Sequence, residues 1–227
     1  YHLPQATLAV IILLAVVGLV NIPALKHTWQ ASRSDGIVAL TTFSVTLIAA
    51  PHLDKGIMVG AILAIVLYLY RTMKPRVSQL GRHKDGTLRD VKVYPDMPTS
   101  EHLIAMRFDG SLYFANVSYF EDTVLEAVAS KPNAKYLLVV GEGINQLDAT
   151  GEEMLHHLVE RLRETGVEIV FSGLKKQVRD VMQATGLNTL IGEANFFSTE
   201  DLAIAAIYER LGVEAEDDLF CALPARA

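Results

Sequence analysis

The stretch GINQLDATGEEML, Gly143–Leu155, gathers the residues of this 227-residue chain that most invite chemistry. It follows an apolar run, YLLVV (Tyr136–Val140), and leads into a segment with helical spacing. Asp148 and Thr150 place a carboxylate and a hydroxyl two residues apart. Nucleophilic chemistry at Thr150 requires a base within reach. The nearest histidines in sequence, His156 and His157, fall about one and a half to two turns further along the same predicted helix, too far to serve its start. Being adjacent, they point in different directions, unlike the i, i+4 pair of a zinc helix. One partly buried and one exposed histidine is the reading that fits. Gly141-Glu142-Gly143 lacks the third glycine of a dinucleotide fingerprint and carries an acid where phosphates would sit. No catalytic or metal-binding set follows from these spacings, and no cofactor is expected.

Two roles stay open for the stretch. Thr150-Gly151-Glu152-Glu153 fits the capping box, and Asp148 could cap the same helix two residues earlier. Such a cap is worth about 1 kcal/mol. The other role is a switch. A hydroxyl at an exposed helix N-terminus suits a phosphoryl group, because the dipole and the N–H groups favour anions. Glu142, Glu152 and Glu153 would repel that phosphate, and they equally suit a fixed mimic of the modified state.

The elements that must position these residues begin at Glu101. His102–Phe108 reads as a strand, Asp109-Gly110 as a turn and Ser111–Val117 as a short strand. A helix over Ser118–Ser130 carries Phe120, Val124, Leu125 and Val128 on one side. Lys135–Val140 is continuous and apolar, as in a strand buried on both faces. The spacing then predicts helix Ala149–Thr165, strand Val167–Gly173, helix Lys175–Thr185, strand Asn195–Phe197 and helix Glu200–Leu211. Such an alternation makes an α/β domain with a mostly parallel central sheet. Ligands of these sheets gather at the carboxyl ends of strands, where the opening stretch lies.

The front of the chain is of another kind. Ala6–Val20, Gly36–Ala50 and Gly56–Tyr70 are three uncharged apolar runs of fifteen residues. Each is shorter than the roughly twenty residues that cross a bilayer core. Buried helices of a soluble fold are the competing reading, but three such runs, apolar on every face, are hard to bury in a protein of this size and are read as transmembrane helices. Residues 1–86 hold eight Lys/Arg against three Asp/Glu, net +5, and residues 87–227 hold twelve against twenty-three, net −11, for a total of −6. Lys26 and Arg33 follow run one; Arg71, Lys74, Arg76, Arg82 and Lys84 follow run three. The positive-inside rule puts both groups, and the second half of the chain, in the cytoplasm. Tyr68 and Tyr70 suit an interfacial anchor, and Lys26–Ser34, with Trp29, is either a short amphipathic helix or a loop. Asp54 and Lys55 fall in a tight Pro51–Gly56 turn, where water or each other can hold their charges. The single Cys221 permits no internal disulfide. The expected organisation is membrane spans over 1–71, a linker over 72–98, the α/β domain over 99–212 and an acidic tail over 213–227. With no initial Met, the chain reads as a piece of a longer protein.

Three apolar spans, a basic linker and an acidic α/β domain carrying GINQLDATG resemble the C-terminal part of the SulP sulphate-permease family of anion transporters. The second half resembles that family's STAS domain, shared with anti-sigma-factor antagonists. LYFANVSYF (Leu112–Phe120), INQLDATGEEML and SGLKKQVRDVMQATGL (Ser172–Leu187) carry the resemblance. It implies a sheet with helices mostly on one side and a motif loop containing Asn145, Asp148, Thr150 and Gly151. In the antagonists a serine at the place of Thr150 is phosphorylated by a partner kinase, so Thr150 is the candidate switch. VVGEG departs from the acid or serine usual before this motif, which weakens transfer of nucleotide binding or phosphorylation to this chain. The resemblance further implies that the spans belong to the gate domain and that the anion site lies in earlier spans. Thr41, Thr42, Ser44 and Thr46 then read as helix-packing hydroxyls. The expected function is the C-terminal part of a secondary transporter of sulphate or another small inorganic anion in the cell membrane. Its expected partners are the bilayer, the preceding spans, a second copy and a cytoplasmic protein, with no nucleic acid. The alternative is a membrane-tethered signalling module switched at Thr150.

Overall fold

The computed structural model describes residues 6–7, 9–11, 14, 21–49, 52–212 and 220. Most of the first apolar run, part of the Pro51–Gly56 turn and, apart from Phe220, the acidic tail lie outside these residues. The chain divides into two units, Tyr1–Tyr70 and Arg71–Ala227.

In the first unit, Asn21 caps α1 (Ile22–Ala31) by accepting a hydrogen bond from the Ala24 N–H at 2.9 Å, and Pro23 occupies the first turn, where its missing N–H costs nothing. The stretch around Trp29 is therefore helical rather than a loop. Ser32 ends α1 and begins α2 (Arg33–Ile48), its hydroxyl accepting from the Asp35 N–H at 3.3 Å. α3 (Leu53–Met73) has 21 residues and stops before Lys74-Pro75, since a residue preceding proline disfavours the helical conformation. Among the described residues, α3 is the one helix long and apolar enough to cross a membrane.

Helices α2 and α3 meet through a feature that a purely apolar reading of the runs overlooks. Gly56 and Gly60 are one turn apart and lie against Thr46 and Thr42 of α2. A Cβ at Gly56 would stand 2.1 Å from Thr46 Oγ1, and one at Gly60 would stand 2.2 Å from Thr42 Oγ1. Each threonine hydroxyl donates to a carbonyl of its own helix, Thr42 to Val38 and Thr46 to Thr42, both at 2.7 Å. The two packing hydroxyls thus leave no donor unsatisfied while the backbones approach.

In the second unit, β1 (Arg76–Arg82) and β2 (Leu88–Asp90) form an antiparallel hairpin. β3 (Leu103–Asp109), β4 (Tyr136–Val140), β5 (Glu168–Ser172) and β6 (Phe196–Phe197) follow, with the sheet ordered β2-β1-β3-β4-β5-β6. Pairings from β3 to β6 are parallel, and β1 runs antiparallel to both neighbours, so the sheet is mixed but mostly parallel. Helices α4 (Val117–Ser130), α5 (Ala149–Glu164), α6 (Lys176–Thr185) and the short α7 (Leu187–Ile191) cover one face, and α8 (Glu200–Leu211) covers the other. Alternation along the strands supplies both layers. Ile104, Met106, Phe108, Leu137 and Val139 face the four-helix layer, whereas Leu103, Ala105, Leu138 and Val140 face α8. Phe108 and Phe120 meet edge to face at 5.0 Å in the larger core, and buried Phe220 stacks on Tyr208 in the smaller.

The structure departs from the sequence reading in two places. Residues 72–98, expected as a linker, contain β1 and β2. Their polar composition is accommodated because Asp90 takes hydrogen bonds from Arg76 Nη2 at 2.8 Å, Ser78 Oγ at 2.9 Å and the Lys92 N–H at 2.9 Å. The turn carries its own signal, Asp85-Gly86, with Gly86 at φ +82°. Ser111–Val117, expected as a strand, is a loop that touches the sheet layer only through a bridge between Leu112 and Leu147. Three further positions before α4 are turn, and Asn116 rather than Ser118 sets where the helix starts.

Two measurements test this packing. Gly60→Val is expected to wedge α2 from α3 and to cost about 1–3 kcal/mol, the usual range for overpacking. Thermal unfolding in detergent, compared with Ala61→Val at the exposed neighbouring position, checks it; equal midpoints would contradict the contact. For Asp90, burial pushes the carboxyl pKa up, but the hydrogen bonds from Arg76, Lys92 and Ser78 outweigh it and hold the group below its usual value. A carboxyl lowered in the folded state stabilises fully above its unfolded pKa, about 3.9, and loses that contribution as pH falls through the folded value. Acid unfolding of Asp90→Asn should therefore show a smaller loss of stability between pH 5 and 2 than the parent, on the order of that window.

Candidate functional site

The loop from Gly141 to Asp148 leaves the end of β4, turns and enters α5. Three backbone bonds shape it. Gly141 N–H donates to Ser172 O at 2.7 Å, Ile144 N–H to Gly141 O at 2.9 Å, and Leu112 N–H to Gln146 O at 2.9 Å. Gly143 is needed for a close approach, because a Cβ there would stand 2.3 Å from the Phe108 carbonyl oxygen. Ile144 and Leu147 are buried and anchor the loop in the larger core.

Asp148 is the cap of α5, which settles the capping question at this residue and not at Thr150. Its Oδ1 accepts from the Gly151 N–H at 2.8 Å and its Oδ2 from the Phe114 N–H at 3.0 Å. The Asp148 N–H donates to Leu112 O at 3.1 Å. One residue thus satisfies an orphan donor of the helix and clamps loop 110–116 onto it. Gly151 permits the clamp: a Cβ there would stand 2.8 Å from Leu112 O and 2.9 Å from Leu147 Cδ1.

Asn145 sits on the exposed crest of the loop. Lys175 Nζ donates to its Oδ1, and Gln177 Nε2 donates to its carbonyl oxygen at 3.0 Å. It therefore joins the motif loop to the start of α6. Thr150 occupies the second position of α5, exposed, and its hydroxyl makes no hydrogen bond to another described residue. It opens onto a shallow groove of about 590 Å³ between α4 and α5, lined also by Glu121, Glu153, Glu160 and Arg161. Arg161 is engaged with Glu121 at 2.7 Å. His157 shares this groove but stands seven residues along the helix, about 10 Å at roughly 1.5 Å per residue, beyond reach of Thr150. His156 turns aside to Glu152 at 3.5 Å, partly buried, and His157 is exposed. Among the described residues, no three His, Cys, Asp or Glu side chains come together as a metal site.

Asn145, Asp148, Thr150 and Gly151 accordingly lie in one loop and helix start, with separate tasks: a tie, a clamp, an open hydroxyl and a close contact. The residue that sequence reasoning missed is Asn116. It is buried, accepts from the Tyr113 N–H at 3.1 Å, and donates from Nδ2 to Ser111 O at 2.8 Å and Thr72 O at 3.3 Å. Thr72 belongs to the last turn of α3. An asparagine immediately before a helical segment was the available signal, but the sequence reading placed it inside a strand, Ser111–Val117.

The mixed sheet, the helix layers and this loop define a STAS domain, and residues 94–203 match that domain family. Residues 1–42 match the sulfate permease family, and the two matches together take in more than half of the chain. The chain belongs to the sulfate permease (SulP) family and carries its STAS domain. It is similar to the probable sulfate transporter 4.2 of Arabidopsis thaliana, 26% identical over 86% of this chain and 30% of that protein. High affinity sulfate transporter 2 of Stylosanthes hamata is 24% identical over 90% of this chain and 32% of that protein. Among solved structures, the murine Solute Carrier 26 family member A9 anion transporter in the inward-facing state shares the fold with a TM-score of 0.73, at 20% identity over 80% of this chain and 30% of that one. The chain thus spans about a third of the length of the curated relatives it matches.

Removing the clamp should separate these roles. Asp148→Ala is expected to lower stability by about 1–2 kcal/mol, the range for lost N-caps. Thr150→Ala, which breaks no bond, should stay within about 0.5 kcal/mol of the parent. Denaturant midpoints of the two variants check the contrast; an equal loss in both would mean that Thr150 has a structural partner.

Proposed function

We propose that this chain forms the closing membrane spans and the regulatory domain of a secondary transporter of sulfate or another small inorganic anion. The observation that carries the reading is the pairing, in one chain, of a sulfate permease match over 1–42 with a STAS match over 94–203. Relatives named as sulfate transporters align with this pairing across most of the chain.

Three spans, over the apolar runs 6–20, 36–50 and 56–70, are part of the proposal. The length of α3 supports one span directly, and the glycine–threonine contact of α2 with α3 is of the kind that drives helix association in lipid. Ile48 is 85% exposed and Ile57 65%, large apolar surfaces that water would not tolerate in this number. The basic residues flanking these runs support a cytoplasmic STAS domain. Of those after the run 56–70, Arg82 is buried in the sheet, which leaves Arg71, Lys74, Arg76 and Lys84 for topology. The spans belong to the gate part of the transporter, and earlier spans supply the anion site. Transport then proceeds by alternating access, with the STAS domain binding a cytoplasmic protein or a second copy.

The competing reading, a membrane-tethered signalling module, draws on the exposed, unbonded hydroxyl of Thr150 at the start of α5. A phosphoryl group there would meet a helix N-terminus but also an acidic groove. Reconstitution of the full-length protein distinguishes the two. Uptake of labelled sulfate or bicarbonate is expected, with Thr150→Glu altering its rate without abolishing it. Uptake of neither anion would defeat the transporter reading, and release of a bound cytoplasmic partner by Thr150→Glu would favour the module.

A further inference from the structure

Within the first unit, α1 differs from the helices that follow it. α2 beyond its first turn and α3 carry apolar residues on every side, whereas α1 divides into two faces. Ile22, Leu25 and Trp29 recur at i, i+3 and i+7 and share one face. Lys26, His27 and Gln30, at i, i+1 and i+4, gather on another. The helix has 10 residues, and none of them is buried; Ile22 is 69% exposed, Trp29 44% and Leu25 39%. Such a length, roughly 15 Å, is half of what a bilayer core of about 30 Å demands, so α1 is no span. Helices this short are marginal in water alone and draw most of their stability from packing an amphipathic face. The apolar face of α1 packs on little protein.

The corner between α1 and α2 shows which way that face is turned. Ser32 is a single extended residue between the two helices, at φ −153° and ψ 115°. Its N–H donates to Thr28 O at 2.8 Å and its hydroxyl accepts from the Asp35 N–H, so the same residue ends one helix and begins the next. The axis of α1 therefore does not continue into α2. A Cβ on Gly36 would stand 2.5 Å from Trp29 Cε3 and 3.2 Å from Trp29 Cα. The apolar face is thus the one that meets the first turn of α2, on the side toward which α2 rises through exposed Ile37, Leu40, Phe43 and Leu47. Residues 1–42, which match the sulfate permease family, contain the whole of α1 and this corner. Tryptophan settles at headgroup level, and the long stem of Lys26, beside the apolar face, lets its ammonium reach the headgroups.

We propose that α1 lies in the plane of the bilayer at the boundary between headgroups and acyl chains. Ile22, Leu25 and Trp29 enter the lipid, and Lys26, His27 and Gln30 stay in the wet layer. The inference rests on the reading of the apolar runs as membrane spans. Through the one-residue corner at Ser32, the lipid surface then sets the depth at which α2 enters the membrane.

Site-directed spin labelling in liposomes of mixed zwitterionic and anionic lipid tests this. The full-length protein, with Cys221→Ser and any other native cysteine replaced, carries one label at a time through Ile22→Cys, Leu25→Cys, His27→Cys, Gln30→Cys or, within α3, Ile62→Cys. Collision with oxygen against collision with a water-soluble nickel complex reports lipid or water. The expected oxygen-to-nickel ratios at 22 and 25 are several-fold above those at 27 and 30 and below that at 62. Water-like ratios at all four α1 positions, with 62 in lipid, overturn the inference and leave the span reading intact. Ratios at all four equal to that at 62 also overturn it, since α1 is then submerged in the hydrocarbon. Labels at 22 and 25 shielded from both reagents overturn it too, because protein then covers the face. A water-like ratio at 62 overturns the span reading, and this inference with it.

Discussion

Three adjacent parallel strands that are apolar on both faces constrain everything else in the second unit. β3, β4 and β5 carry Leu103–Met106, Leu137–Val140 and Ile169–Phe171 with no solvent face to spare. Parallel strands need crossovers, and crossover helices are the means of covering both faces. The right-handed path places α4, α5 and α6 on one side, so the other side must be closed by the last helix, α8, and by Phe220. The same connectivity delivers the loops after β3, β4 and β5 to one end of the sheet. Loops 110–116, 141–148 and 173–175 become neighbours because of how the strands are buried, before any polar contact is made.

Polar contacts then convert neighbouring loops into a fixed surface. Asp148 has two acceptor oxygens and spends one on its own helix and one on the loop after β3. Asn145 receives Lys175 and so reaches the loop after β5. Side chains longer than hydrogen at Gly143 or Gly151 would push these loops apart. The arrangement leaves the Thr150 hydroxyl as the motif's one uncommitted polar side chain among those named, on a surface that is rigid beneath it.

The legible part of this structure was the part written in periodicity. The continuous apolar run Tyr136–Val140, the amphipathic Ala149–Glu164 and the cap signal at Asp148 all lie where spacing places them. β1 and β2 were not legible, because Arg76, Ser78, Gln79 and Arg82 give no apolar alternation. Their polar groups are satisfied by partners, notably Asp90, that lie across the hairpin. Ser111–Val117 failed for the opposite reason: its apolar residues Leu112, Tyr113, Phe114 and Val117 suggest a strand, but only Leu112 is buried there. At the site, composition gave the motif loop and both capping residues as alternatives, and geometry chose Asp148. Asn116 was out of reach because its partners, Tyr113, Ser111 and Thr72, are set by tertiary placement and not by spacing.

Asn116 also has a task at the end of α3. Pro75 stops the helix, and a helix end leaves carbonyls without intrahelical partners. The carbonyl of Thr72 is one of these, and a buried side-chain amide from the loop before α4 takes it up. The glycine at 110 lets Pro75 settle against the same loop. Asp148 holds the other end of this loop through the Phe114 N–H, so the loop before α4 is fixed at both ends by side-chain hydrogen bonds, Asp148 to Phe114 and Asn116 to Thr72.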